Sequence, residues 1–219
     1  MAQATEFVRK LRFGLVVSQL DGELQFSHLP LLVDTEGDQI VQLRGHFARS
    51  NPHWQALARQ PAATVVFTGP NAYMSAQWYT PECPAAPTWN FVTGHVNGTI
   101  RLLDTPGQTT EIVNELISVN EAELPTQWSL ESYSPERRAA LTPHILGFAL
   151  DVQSVEPKFK LNQHYADADK LGAIAGLRAR GTDAARQIAD LMELTLGQGG
   201  KHLDVTKRLA AAGKDRRGA

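Results

Sequence analysis

Asp21-Gly22 sits between the apolar, β-branched run FGLVVSQL (residues 13–20) and a second extended run from Glu23 to Val33, and no other feature constrains this chain as much. An Asp-Gly pair between two such runs supplies the positive φ angles of a tight hairpin turn, so the flanking strands pair antiparallel. DTEG (34–37) reads as the next turn, with Gln39–Phe47 as a third strand. Ala62–Thr68, closed by Gly69-Pro70, then Tyr73–Tyr79 and Thr88–Leu103 read as three more, and LGFALDV in the stretch His144–Val155 adds another. A parallel α/β sheet needs more intervening helices than this. Closing short antiparallel strands into a barrel removes their exposed edges. The expected fold class is therefore α+β, mainly β: an antiparallel barrel of six or seven strands with helices on its C-terminal side.

Ser50-Asn51-Pro52 starts a short helix, HWQALARQ, because Ser or Asn caps well and Pro is tolerated in a first turn. Thr109–Val119, SPERRAAL from Ser134, and Asp167–Leu196 interrupted at Gly181 carry helical spacing. We expect one domain over residues 1–196 and a flexible tail over 197–219.

The 219 residues carry a net charge of −2. That balance offers no basic field for a phosphate backbone, and direct nucleic-acid binding is not expected. The lone Cys83 forms no internal disulfide, and no apolar run approaches the length of a membrane span, so a cytoplasmic location is expected. Phosphate loops, dinucleotide fingerprints, GxSxG and HExxH are absent from the sequence.

Strand alternation puts Gln42, Arg44 and His46 on one face of the third strand and Leu43 and Phe47 on the other, a polar face opposite a core face. With Arg49, Ser50 and Asn51 at the following helix start, Arg44 and His46 form a candidate anion cradle for a flavin phosphate or a heme propionate; a solvated strand end is the plainer reading. His53 is either a metal ligand or a lone surface histidine. The block SAQWYTPECPAAPTWNF (75–91) groups Trp78, Tyr79 and Trp89 among small residues and prolines. Those rings either wall a flat cofactor or fill the barrel. Trp89, Phe91, Thr93 and His95 share one face there, with Asn90 opposite.

Five blocks in order, HLPLLVD, LRGHFARSNPHW, GPNAYMSAQWY, APTWNF with a following His, and VEPKFKLNQ, resemble the PaiB-like family of split-barrel proteins, known as FMN-binding negative transcriptional regulators. The similarity runs from about Phe13 to Met192. It implies an FMN-binding type split barrel and a homodimer. Among the matching positions are Arg44, His46, Arg49, Asn51, Trp78, Tyr79, Thr88, Trp89, Asn90, His95, Lys158 and Lys160. In the flavin reading, Arg44–Asn51 holds the FMN phosphate and the aromatic block flanks the isoalloxazine.

NPHW and AAPTWNF are also similar to a branch of heme-dependent piperazate synthases, which close an N–N bond in an N-hydroxylated diamino acid. That resemblance implies heme b with a histidine axial ligand, His46 first, then His53 or His95, a small-molecule substrate, and Lys158, Lys160 or Tyr79 as catalytic base. Gly94 replaces the family's usual Val and is expected to open space beside His95. A regulator without catalysis is the remaining alternative.

Overall fold

A computed structural model describes residues 2–83 and 85–197. Among these, six strands close into an antiparallel barrel in the order β1-β2-β3-β6-β5-β4, with β4 paired back on β1. The strands are β1 (Phe13–Leu20), β2 (Glu23–Glu36), β3 (Gln39–Ala48), β4 (Ala62–Met74), β5 (Thr88–Leu103) and β6 (Ile145–Lys160). The helices are α1 (Ala2–Leu11), α2 (His53–Arg59), α3 (Pro106–Glu121), α4 (Pro135–Leu141), α5 (Asp167–Arg180) and α6 (Asp183–Glu193).

The hairpin that anchors the reading is present: Asp21 and Gly22 both take positive φ, 53° and 89°, and β1 pairs with β2 from Leu20↔Glu23 outwards. Three local readings change. DTEG is not a turn; β2 runs on to Glu36, and the chain reverses at Gly37, whose φ is 57°. Gly69-Pro70 does not end the fourth strand, because β4 pairs with β1 only over Ala63–Val66. Pro70 lies beyond that ladder, so its missing N–H removes no bond to β1. Tyr73–Tyr79 is not a strand either: β4 stops at Met74, and Ala76–Trp78 is a 3-10 turn whose Gln77 N–H donates to Ser75 Oγ at 3.3 Å. Helix α1 was not anticipated, although Phe7, Val8 and Leu11 have helical spacing and the first two are buried.

The described residues form two compact units, Gln3–Phe67 with Gly94–Glu156, and Thr68–Thr93 with the described residues from Pro157 onward. The first has a core of fully buried Val16, Leu31, Leu43, Phe47, Val65, Phe67 and Phe148, with Phe47 and Phe148 rings 4.9 Å apart. In β1, β3 and β4 these residues alternate with less buried ones, as a one-sided sheet requires, whereas residues 146–150 of β6 are all buried. In the second unit α6 buries Ala185, Ile188, Ala189 and Met192, an i, i+3, i+4, i+7 stripe. Gly181 ends α5 with φ 69°, and Thr182 caps α6, so the expected break falls where a left-handed residue is needed. The tail read as flexible, residues 197–219, lies outside the described residues apart from Gly197.

Candidate functional site

The polar face of β3 is not open. Arg44 is gripped by Asp34 of β2, at 2.5 and 2.7 Å, and by Glu115 of α3, at 2.8 and 3.1 Å. Hydrogen bonds to Asp34 and then Glu115 hold the guanidinium even more firmly protonated than usual. Helix α3 reaches this face because Ile112 and Leu116 pack on Leu32, the β2 neighbour of Arg44. Arg49 is in an exposed pair with Asp104 at 2.6 Å. Asn51 spends its amide locally, donating to Ser27 Oγ at 2.9 Å and accepting from the His53 N–H at 3.0 Å. Ser50 is exposed. The expected anion cradle is thus a set of satisfied pairs, and a phosphate there would compete with three carboxylates.

His53 is not a surface histidine. It is 2% exposed, with Nε2 2.9 Å from Ser18 Oγ and Nδ1 2.8 Å from Ser27 Oγ, so neither ring nitrogen is free for iron. His46 Nδ1 is buried with no hydrogen-bond partner among the described residues. Burial pushes the pKa of both histidines down from its ordinary value. Below about pH 6.5 the unfolded chain takes up protons that the folded chain resists, so stability is lost as the pH falls from there. Melting curves between pH 7.5 and 5.5 are expected to show this decline, with a slope of up to about 1.4 kcal/mol per pH unit for each histidine. His53→Gln should remove only the share of the slope that His53 contributes, and a flat parent profile would contradict this account.

His95 is the expected iron ligand whose side chain is exposed. Gly94 opens no space beside it: the position a Cβ would occupy faces inward, 3.5 Å from Val8 and 3.7 Å from Phe7 of α1.

The remaining expected residues lie in the second unit, and they separate into two groups. Trp78 is half-buried and packs closely against α5. A Cβ on Gly176 would fall 2.4 Å from its ring, and one on Gly172 would fall 2.1 Å from its carbonyl oxygen, so the close approach of α5 requires glycine at both positions. Tyr79 is buried; its hydroxyl accepts from Asn162 Nδ2 at 2.6 Å and its ring meets Tyr165 edge-on at 5.3 Å. Burial, then Tyr165, pushes the phenol up to about 12, which makes it a poor base near neutrality. Asn90 points inward, fully buried, with Nδ2 3.3 Å from Met192 Sδ.

In the second group Trp89 and Lys158 are exposed, and Thr88 and Lys160 are half-buried. Thr88 Oγ1 accepts from Lys160 Nζ at 2.6 Å, and Lys158 Nζ lies 5.9 Å from the Phe91 ring centre. Trp89 is 53% exposed, with Tyr73 edge-on at 6.1 Å. Neither lysine has a carboxylate within ion-pair distance among the described residues. Tyr73 and Phe91 were not among the chosen site residues, although alternation had already put Phe91 on the Trp89 face. A flat, phosphorylated cofactor needs unspent cations and an uncovered aromatic surface; Lys158 and Lys160 are cations of the first kind, and Trp89 is a surface of the second.

A closed antiparallel barrel with helices is the class that the fold defines. The chain belongs to the PaiB-like family of FMN-binding split barrels: residues 1–154 match the family model described as "Putative FMN-binding domain". It is 31% identical over 192 residues to protease synthase and sporulation protein PAI 2 of Bacillus subtilis, covering 85% of this chain and 88% of the relative. It is 26% identical over 225 residues to the uncharacterized protein AN0679 of Emericella nidulans, covering 85% and 90%. Among solved structures it is similar in fold to the flavocytochrome Anf3 from Azotobacter vinelandii, with TM-score 0.54, 14% identity, and coverage of 73% of this chain and 67% of that one. The conserved hypothetical protein Rv2991 from Mycobacterium tuberculosis gives TM-score 0.51, 10% identity, and coverage of 73% and 84%.

Proposed function

We propose that the chain binds FMN, with the phosphate at Lys158 and Lys160 and the flavin ring against Trp89 and Tyr73. The observation that carries this reading is the pair of lysines left without a carboxylate, where Arg44 and Arg49 are both paired. A phosphate dianion is held by charge that is not spent elsewhere, helped by a neighbouring hydroxyl such as Thr88. Here the lysines receive an anion and are not catalytic bases. FMN, when bound, supplies electron or hydride transfer; this chain's residues hold the phosphate and cover the ring. The family's FMN-binding description supports the same cofactor. Titration of the purified protein into FMN should quench flavin fluorescence through Trp89. Trp89→Leu should restore emission and weaken binding about tenfold. Flavin emission that stays unchanged at saturating protein would sink the proposal.

The protein also forms a homodimer in this reading. Phe13, Leu24 and Phe26 are 57%, 58% and 58% exposed on the outer face of the β1–β2 hairpin, and Phe13 stacks on His28 at 6.0 Å. Apolar residues gathered on one strand pair mark an interaction surface, and a two-fold axis would bury the same patch on both copies. Sedimentation at micromolar concentration should give twice the chain mass, and Phe26→Glu should return the monomer mass. A monomeric parent would overturn it.

Among the described residues no helix is long and apolar enough to cross a membrane. A cytoplasmic location suits the single cysteine.

A further inference from the structure

We propose a second ligand site in the first unit, between α3, the connection after it and α4, which takes a linear zwitterion of the length of a tri- or tetrapeptide. The cavity there measures about 750 Å³, within the range of small-molecule pockets. It follows α3 from Thr110 to Glu121, a rise of roughly 16 Å. An extended peptide advances about 3.3 Å per residue, so three or four residues span roughly 10–13 Å and fit within that length with their charged termini.

The lining carries charge of both signs. Glu121 stands in the last turn of α3, where the helix's negative pole adds to the pull on a cation. One of its oxygens is fixed by the Trp128 backbone N–H at 2.8 Å, and the other remains to accept. Glu131 and Arg138 line the same cavity, and neither is in an ion pair among the described residues. Opposite charges that share a cavity without pairing are available to a ligand that brings the complementary groups. An ammonium belongs with Glu121 and Glu131, and a carboxylate belongs with the planar fork of Arg138.

Trp128 supplies the apolar surface. It is 37% exposed, and its ring is steadied by Tyr133 edge-on at 5.1 Å. Arg137 covers Tyr133 from 3.9 Å, which fixes that support in turn. Helix α4, which carries Arg138, buries none of its residues, so it can shift to admit a ligand at little cost in packing.

Tetra-alanine is the probe, read by calorimetry and by the Trp128 indole N–H signal, which Trp128→Phe identifies. Binding is expected, and N-acetylation or C-amidation of the peptide should each weaken it about tenfold or more. Arg138→Met and Glu131→Gln alter side chains that are not buried, so these variants should melt like the parent while losing affinity to the same degree. No heat and no indole shift at about 10 mM peptide would overturn the proposal, since that excludes even millimolar affinity. Capped peptides that bind as well as tetra-alanine, or folded variants that bind like the parent, would overturn it too.

Discussion

Gly172→Ala is expected to destabilise the second unit by about 3 kcal/mol, even though alanine is the better helix former by about 1 kcal/mol. The new Cβ would fall 2.1 Å from the Trp78 carbonyl oxygen. That obstacle is backbone, which cannot rotate away as the tip of a side chain can, so either α5 or the Ala76–Trp78 turn must move. Gly176→Ala meets the Trp78 ring at 2.4 Å and should be the milder of the two, because a ring can tilt. Gly107, in the first turn of α3, has nothing within 4 Å of its Cβ position. Gly107→Ala should therefore leave stability unchanged or raise it slightly. Urea unfolding of the three variants tests the order, and a Gly172→Ala protein as stable as the parent would show that Trp78 is not held against α5.

Lys170→Met is expected to cost about 2–3 kcal/mol, an unusual penalty for a methionine that nearly matches lysine in volume. The Lys170 side chain is 1% exposed, with Nζ 2.6 Å from Asp167 Oδ1 and 2.9 Å from the Thr195 carbonyl. Thr195 is itself buried, so removing the ammonium leaves its carbonyl short of a donor. Asp167 is half-exposed, which lets water replace part of the lost bond and keeps the cost below that of a fully buried pair. The pair ties the start of α5 to the chain just after α6. Chemical denaturation with hydrogen exchange should show the loss first in α5 and α6. Unchanged stability would mean that Lys170 could leave its site at no cost.

The parts of this fold that were legible in the sequence are those fixed by neighbours in the chain. Asp21-Gly22 dictates its own φ angles, the alternation in β3 and β5 follows from the pleat, and Gly181 marks the break between α5 and α6. The site was less legible because its chemistry depends on partners far along the chain. Arg44 is an anion receiver by spacing, but Glu115, 71 residues later, neutralises it once α3 docks. His53 reads as a surface residue until Ser18 and Ser27, 35 and 26 residues earlier, enclose it. Nothing near Trp78 in the sequence shows that two glycines of α5, more than 90 residues later, pack closely on it. Lys158 and Lys160 illustrate the converse: spacing offers them as bases, and the proposed phosphate site rests on the finding that no carboxylate among the described residues reaches them. Gly69-Pro70 was misread because a proline is excluded only where its N–H would have been used, and that depends on how far the neighbouring strand extends.

The most direct test of the account compares FMN with riboflavin, which differ by the phosphate alone. If Lys158 and Lys160 receive that phosphate, the parent should bind FMN about a hundredfold more tightly than riboflavin, equivalent to about 2.7 kcal/mol. In the Lys158→Met, Lys160→Met double variant, isothermal titration should show the preference shrinking to a few-fold, with riboflavin affinity unchanged. A parent that prefers FMN and a double variant that keeps the whole preference would place the phosphate elsewhere and contradict the proposed site.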